Sequence, residues 1–174
     1  MHQAEEDLLV LAVQSGNQKA FRLLYERYHR PLLRFAYQLC RDQEIAQDAV
    51  QECWLKSASA IRQLNDPRAF RSWLYRLVKW RVTDFLRVQS RRKNDSEVFD
   101  ESKHAVSVGM AVDETEQLSA AINRLPPLEK QMINLFYLDE LSVAEIAQVM
   151  EIPQGTVKSR LNRARNLLKQ KYDC

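Results

Sequence analysis

Apolar residues recur at helical spacing along most of the 174-residue chain, and short polar, Pro- or Gly-containing breaks separate the apolar patterns. Asn17 and Asp66 are placed to cap helices, with Pro67 in the first position of the helix that Asp66 begins. Pro31 is expected to kink the helix in which it lies. The breaks divide the first half of the chain into four predicted helices, which cover about residues 5–14, 18–40, 44–64 and 67–91.

The second half begins with a stretch of low apolar density and no clear period. A helical pattern resumes at Glu114 and reaches Leu125, where two prolines break it, and a further helix extends to about Leu138. Only three glycines in the chain also favour helices over turns and strands. We therefore predict an all-α fold of two small helical domains, residues 1–92 and 114–174, joined by a flexible acidic linker, residues 93–113.

Residues 141–165 carry the strongest local pattern. Ser142 followed by Glu145 forms a capping box, which predicts the start of a short helix. Pro153 suits the first turn of the next helix, where a missing N–H costs nothing. Apolar residues recur along that second helix with spacings of four, three and four, so one of its faces is predicted to be buried. Two short helices joined by a tight turn are typical of a DNA-binding helix-turn-helix.

The outward face of this second helix is polar and basic. From residue 153 to residue 172 there are six basic residues and no acidic one, whereas ordinary solvated helices mix both signs. We predict that Lys158, Ser159, Asn162 and Arg163 contact base edges or phosphates. Arg160 and Arg165 rank below them, because packing or backbone contacts also suit these two positions.

Charge is strongly segregated, although the net charge is only +3. Residues 62–93 hold ten basic and two acidic groups, whereas residues 94–117 hold seven acidic groups and one lysine. Two basic regions thus flank an acidic connector, which is the pattern expected of a protein that binds a polyanion.

The helix predicted at 67–91 has a broad apolar side and a narrow polar strip. Cations beside accessible indoles form a platform for single-stranded nucleic acid, because phosphates meet the charges and bases stack on the rings. Trp73 lies at the margin of the strip, and both a core role and a stacking role remain open for it. The strip itself consists of Arg76, Lys79, Trp80, Thr83 and Arg87.

Other features exclude several classes of protein. Cys40, Cys53 and Cys174 are too widely spaced for a disulfide framework or a zinc site, which indicates a reducing, cytoplasmic compartment. We expect the first two to be core thiols, and a redox-reactive thiol is the alternative. The amino terminus lacks the pattern of a signal peptide, and no apolar run is long enough to span a bilayer. Membrane insertion, a metal site and a cofactor site are not expected.

Three segments taken in order resemble a known family. DAVQECWLKSASAIRQL, AFRSWLYRLVKWRVTDFLR and IPQGTVKSRLNRAR are similar to the clamp-binding helix, the promoter-melting helix and the C-terminal reader of extracytoplasmic-function sigma factors, which are minimal members of the sigma-70 family. The resemblance implies a region 2 domain at 1–92 and a region 4 domain at 114–174. It also implies a factor that directs promoter-specific transcription initiation in the cytoplasm.

The resemblance further implies partners and residue roles. The partners are promoter DNA, the clamp helices and flap of core RNA polymerase, and an anti-sigma factor. The residues that would bind core polymerase are Asp48, Gln51, Glu52 and Leu55. Those that would melt and hold the minus-ten element are Asn65, Asp66, Arg68, Trp73, Arg76, Lys79, Trp80, Thr83 and Arg87. Those that would read the minus-thirty-five duplex are Thr156, Lys158, Ser159, Arg160, Asn162 and Arg163.

One position departs from the family pattern, because Trp80 stands where these factors often carry asparagine. We expect its indole to stack on, or wedge against, the upstream fork of the opened promoter. The alternative class is a stand-alone helix-turn-helix regulator, which would have no need of a basic aromatic helix in its first domain. An enzyme or a structural adaptor is not favoured, because the histidines are scattered and two separate cationic surfaces are present.

Overall fold

The computed structural model describes residues 3–94 and 114–172, and in these ranges the chain forms α-helices and no β-strand. An all-α fold was predicted and is confirmed. The helices are α1 (Gln3–Gln14), α2 (Gln18–Cys40), α3 (Gln43–Ala60), α4 (Phe70–Asn94), α5 (Glu114–Asn123), α6 (Pro127–Ile133), α7 (Val143–Met150) and α8 (Gln154–Tyr172).

Side-chain caps set several of these boundaries where the sequence predicts them. The Asn17 side-chain oxygen accepts hydrogen bonds from the backbone N–H groups of Lys19 and Ala20 at 3.0 and 3.1 Å. Ser142 and Glu145 form the predicted capping box at the start of α7. Each cap satisfies N–H groups that a helix cannot pair internally, so these starts are encoded locally. Helix α2 continues past Pro31 to Cys40, and the kink there remains a prediction.

The junction between α3 and α4 differs from the prediction. Helix α3 ends at Ala60 rather than near residue 64, and a 3₁₀ turn, Ile61–Gln63, follows it. The Gln14 amide donates hydrogen bonds to the carbonyl oxygens of Ile61 and Leu64 at 3.0 and 2.7 Å. Because a distant side chain takes up these carbonyls, the chain can leave the α-helix early at little cost. A second 3₁₀ turn, Pro67–Ala69, begins at the Asp66 cap and leads into α4.

The two halves of the fold share one hydrophobic cluster. Leu74 and Tyr75 on α4 are fully buried, as are Ile146 and Val149 on α7, and all four belong to the same core. Helix α7 packs directly against α4, in addition to packing on α8 within its own half. The predicted linker, residues 93–113, begins inside α4, and the rest of it lies outside the described residues.

A buried polar group also joins the halves. Asp139, between α6 and α7, forms an ion pair with Arg34 on α2 and a hydrogen bond with Tyr75 on α4. Burial raises the pKa of Asp139, and the contacts with Arg34 and Tyr75 oppose that rise. The second half is therefore fixed to the first by specific polar contacts as well as by apolar packing.

Candidate nucleic-acid and partner interfaces

The polar strip of α4 presents cations and an accessible indole on one side of the helix. Trp80 is 47% exposed, and the Arg76 guanidinium carbon lies 4.9 Å from the centroid of its ring. Thr83 and Arg87 are exposed one and two turns further along. A cation–π contact thus lies against a ring that is about half exposed, an arrangement that suits the predicted stacking platform.

The same strip is partly covered by the helix-turn-helix. The Lys79 ammonium donates to the Glu151 carboxylate at 2.6 Å and to the Met150 carbonyl oxygen at 3.1 Å. The Trp80 indole N–H donates to the other Glu151 oxygen at 3.3 Å. Hydrogen bonds from Lys79 and Trp80 lower the pKa of Glu151, which keeps this carboxylate charged. No pattern in the sequence indicated this contact.

Trp73 lies at the edge of the strip and is half-buried. Its ring centroid is 6.0 Å from that of Phe70, and the side chain packs against the hydrophobic core. Less of its surface is accessible than that of Trp80, and a stacking role for Trp73 remains a prediction.

The turn before α4 brings three predicted DNA-contacting residues together. The Asp66 carboxylate caps the turn by accepting from the Arg68 backbone N–H at 3.0 Å. It also accepts hydrogen bonds from the Arg68 guanidinium at 3.0 to 3.2 Å. Arg68 lowers the pKa of Asp66 through these contacts. Asn65 is exposed beside them, so a nucleic acid would meet Asn65 and the outer edge of Arg68 first.

Helix α8 places its predicted contact residues on one exposed face. Lys158, Ser159, Asn162 and Arg163 are exposed, whereas Val157, Leu161 and Ala164 are buried. Thr156 and Arg160 are half-buried at the side of this face. The predicted period is therefore the observed one, and the helix presents a basic ridge on its exposed side. The major groove of DNA is wide enough to admit an α-helix.

A buried carboxylate lies behind this ridge. Glu129 on α6 is almost fully buried, and one of its oxygens is 3.7 Å from the Arg160 guanidinium and 3.8 Å from that of Arg163. Glu129 thus places a negative charge within ion-pair distance of both arginines. Nothing in the local sequence pattern of α6 indicates this role, because the partners lie on another helix. Arg165, ranked low for DNA contact, donates to the Leu161 carbonyl oxygen at 3.2 Å.

The predicted polymerase-binding residues lie along α3. Asp48, Gln51 and Leu55 are exposed, and Leu55 is 70% exposed despite its apolar side chain. Glu52 differs from them, because it forms an ion pair with Arg81 on α4. The face is therefore available for contact at three of its four predicted positions, while Glu52 also holds α3 against α4.

An aromatic groove beside this face was missed by the sequence analysis. The ring centroid of Tyr25 lies 5.0 Å from that of Trp54 and 4.7 Å from that of His29. Together with Gln51 and Leu55 these rings line an open groove of about 550 Å³. The spacing of Tyr25 and His29, one turn apart on α2, was the available signal, but it does not show that α3 lies alongside.

The described residues were also compared with the requirements for a reactive thiol, a metal site and a membrane span. Burial raises the pKa of the Cys53 thiol to about 12, and it also raises the pKa of the half-buried Cys40 thiol. In the described ranges, no group of three or more His, Cys, Asp or Glu residues could hold a metal ion. Every helix in those ranges is too short or too polar to span a lipid bilayer.

Family models define the class of protein. The model for sigma-70 region 2 matches residues 24–92, and the model for sigma-70 region 4 matches residues 115–168. The first match contains α3 and most of α2 and α4, and the second contains the helix-turn-helix. Regions 2 and 4 in this order define a two-region factor of the sigma-70 class.

Relatives then place the chain within that class. It is 32% identical to the ECF RNA polymerase sigma-E factor of Haemophilus influenzae, over 97% of this chain and 96% of that protein. It is 33% identical to the sigma-E factor of Escherichia coli (97% and 95% covered) and to the RNA polymerase sigma-H factor of Pseudomonas aeruginosa (95% and 93% covered). The chain belongs to the extracytoplasmic-function sigma factors of the sigma-70 family, and the predicted family is confirmed.

Solved structures agree on the fold. A complex of the sigma factor RpoE with the anti-sigma factor NepR from Bartonella quintana contains a similar chain, with a TM-score of 0.68, 25% identity, and 87% and 96% of the two chains covered. CnrH in complex with the cytosolic domain of CnrY is similar at a TM-score of 0.62 and 23% identity, with 97% of each chain covered. The first of these proteins is bound to an anti-sigma factor.

Proposed function

We propose that this sigma factor directs promoter-specific initiation through three surfaces, one for core polymerase and two for DNA. The observation that carries the proposal is the pair of separate cationic surfaces, the Arg76–Trp80 platform on α4 and the exposed ridge of α8. A stand-alone helix-turn-helix regulator needs only the second of them. We further propose that the chain acts in the cytoplasm, where polymerase and promoter are, and that it has no catalytic activity of its own.

The α3 face and its neighbouring groove form the proposed docking surface for core polymerase. Leu55 offers an exposed apolar contact, Asp48 and Gln51 offer polar contacts, and the groove beside them is lined by Tyr25 and Trp54. A helix of the polymerase clamp could place an apolar side chain in this groove while its polar residues meet Asp48 and Gln51. Aromatic walls favour such a contact, because they bury a large area with little loss of side-chain freedom.

The α4 platform and the turn before it are proposed to melt and hold the minus-ten element. Phosphates would meet Arg76, Lys79 and Arg87, and an unstacked base would stack on Trp80. Stacking is worth about 1 to 3 kcal/mol for each base, which offsets the few kcal/mol needed to unstack it. The turn at Asn65, Asp66 and Arg68 is proposed to receive a flipped base.

The exposed ridge of α8 is proposed to read the minus-thirty-five element as duplex. Lys158, Ser159, Asn162 and Arg163 would enter the major groove. Core polymerase would fix the separation of the two readers, which raises the effective concentration of the second reader once the first is bound. Neither reader then needs high affinity alone. An anti-sigma factor is the proposed partner in the inactive state.

Run-off transcription with bacterial core polymerase and a promoter library tests the whole proposal. We expect transcripts from a subset of templates, and the absence of transcripts from every template would refute the proposal. Permanganate footprinting of the active promoter tests the platform, since it detects unpaired thymines. Trp80→Ala should reduce promoter opening. Val88→Ala, on the same helix and also 47% exposed, should not.

A further inference from the structure

Helix α7 lies along the proposed minus-ten platform and is held to it at both ends. Near its start, the Arg71 guanidinium donates two hydrogen bonds to the Glu145 carboxylate at 3.0 and 3.1 Å. Just past its end, Lys79 and the Trp80 indole N–H both donate to Glu151. Arg71 and Lys79 are two turns apart on α4, and each forms an ion pair with a glutamate of the second half.

The Glu151 carboxylate makes the contacts that a DNA phosphate would make. Its two oxygens accept from an ammonium group and from an indole N–H, the donors that the platform would offer to a nucleic-acid backbone. Glu151 is the residue after α7, in a left-handed conformation with φ of 58°, and its own backbone N–H bonds to the Ala147 carbonyl oxygen. Glu151 is thus the C-cap of α7, and its side chain reaches the platform from the turn of the helix-turn-helix.

In this closed arrangement, α7 packs on α4. It affects the two proposed DNA readers unequally. Lys79 is only 18% exposed at its side chain in this arrangement, whereas Lys158, Ser159, Asn162 and Arg163 on α8 remain exposed. The closed arrangement therefore engages two donors of the single-strand platform, the Lys79 ammonium and the Trp80 indole N–H, and leaves the duplex-reading ridge free.

We infer that the free chain inhibits itself, with Glu151 acting as an internal substitute for a DNA phosphate on Lys79 and Trp80. The inference rests on the proposed role of the α4 strip as a DNA-binding surface. A chain that is open for only a fraction of the time binds single-stranded DNA more weakly by that same fraction. Docking on core polymerase, which needs the two domains at a separation set by the enzyme, would release the platform.

Binding of fluorescent DNA to the full-length chain, without polymerase, tests this inference. The probes are a single-stranded oligo(dT) of about 12 nucleotides, which suits a stacking platform of low sequence preference, and a mixed-sequence duplex. Glu151→Gln should bind the single strand roughly fivefold or more tightly than wild type, as expected for release from a closed state. Affinity for the duplex should stay within about twofold.

The matched control is Glu140→Gln. Glu140 is exposed on the same domain, also has a positive φ (55°), and loses the same charge. Glu140→Gln should change neither the single-strand affinity nor the duplex affinity. A general electrostatic effect of losing one negative charge would instead appear equally in both variants. Equal single-strand affinities of Glu151→Gln and Glu140→Gln would overturn the inference.

Small-angle X-ray scattering supplies a readout that does not involve DNA. Lys79→Glu and Glu151→Lys should each increase the radius of gyration by placing like charges together, and the charge-swapped double variant should return close to the wild-type value. Identical radii for the wild type and the single variants would overturn closure through this pair. Failure of the proposed function is a separate outcome, because it would appear as absent run-off transcription by wild type and Glu151→Gln alike.

Discussion

Arg71 and Glu145 form a bidentate ion pair that joins α4 to the capping box of the helix-turn-helix. The two hydrogen bonds measure 3.0 and 3.1 Å, and the side chains are only 12% and 16% exposed. The same carboxylate accepts from the Ser142 backbone N–H at 2.8 Å. Glu145 therefore stabilises both the start of α7 and the interface between the two halves.

We predict that Glu145→Gln lowers the free energy of unfolding by about 1.5 to 3 kcal/mol at neutral pH, the range for a hydrogen bond to a charged group. Burial raises the pKa of Glu145, but hydrogen bonds from Arg71 and Ser142 outweigh it, and the net pKa lies below the usual 4.5. The ionised form thus favours the folded state. Its contribution is fully present above pH 4.5 and is lost as the pH falls through the folded-state pKa.

Urea unfolding at neutral pH and at about pH 3 measures both the loss of stability in Glu145→Gln and its dependence on pH. The difference in unfolding free energy between wild type and Glu145→Gln should narrow at the lower pH. Glu44→Gln, an exposed acidic residue in the first turn of α3, controls for the loss of a helix-terminal charge. A difference that stays constant with pH would contradict the assignment of the stabilisation to the ionised carboxylate.

Structural features that depend on residues close together in the chain could be predicted from the sequence. The caps at Asn17 and Ser142, and the exposed face of α8, follow from patterns within one or two turns, and the structure has them. The packing of α7 on α4 could not be predicted in this way, because Arg71 and Glu145 are 74 residues apart and each would also suit a solvated helix surface. A period fixes which side of a helix is buried, but not which other helix covers it.

The candidate sites also contain some features that one helix determines and others that depend on how helices pack together. The exposure of Leu55 follows from its position on α3, whereas the Tyr25–Trp54 groove beside it requires the packing of α2 on α3. Glu52 satisfied the same helical pattern as Asp48 but is paired with Arg81. A partner surface read from one helix alone therefore misses both the residues that neighbouring helices add to it and those that they engage.

Leu55→Asp should weaken binding to core polymerase by tenfold or more, about 1.4 kcal/mol, with no loss of stability. Leu55 is 70% exposed, so its loss leaves no cavity in the fold, and the new charge would be buried on docking. Surface plasmon resonance with immobilised core polymerase measures the effect. Leu8→Asp is the matched control, since Leu8 is a leucine on α1 that is 66% exposed. Equal losses in the two variants would argue against a specific contact at Leu55.

The Cys53 thiol should resist alkylation in the native protein. It is 1% exposed, and burial raises its pKa to about 12. The reactive thiolate is therefore scarce at mildly alkaline pH, and reagent cannot reach it. Peptide mass spectrometry after iodoacetamide treatment should find Cys53 unmodified in buffer and modified in urea. Rapid native labelling would show that α3 opens far more often than its packing implies.

The exposed ridge of α8 should divide into base-reading and phosphate-binding residues, and Asn162 and Lys158 are predicted to differ in this respect. A side-chain amide can make paired hydrogen bonds to one base edge, worth about 1 to 3 kcal/mol of discrimination. Asn162→Ala should therefore reduce the difference in affinity between a cognate minus-thirty-five duplex and one with a single substituted base pair. Lys158→Ala should weaken binding to both duplexes alike and reduce the slope of log affinity against log salt by about 0.9.

Gln170 is exposed two turns beyond Asn162 on α8, and Gln170→Ala should change neither the base discrimination nor the salt slope. A loss of base discrimination in Lys158→Ala, with an unchanged salt slope, would reverse the two assignments.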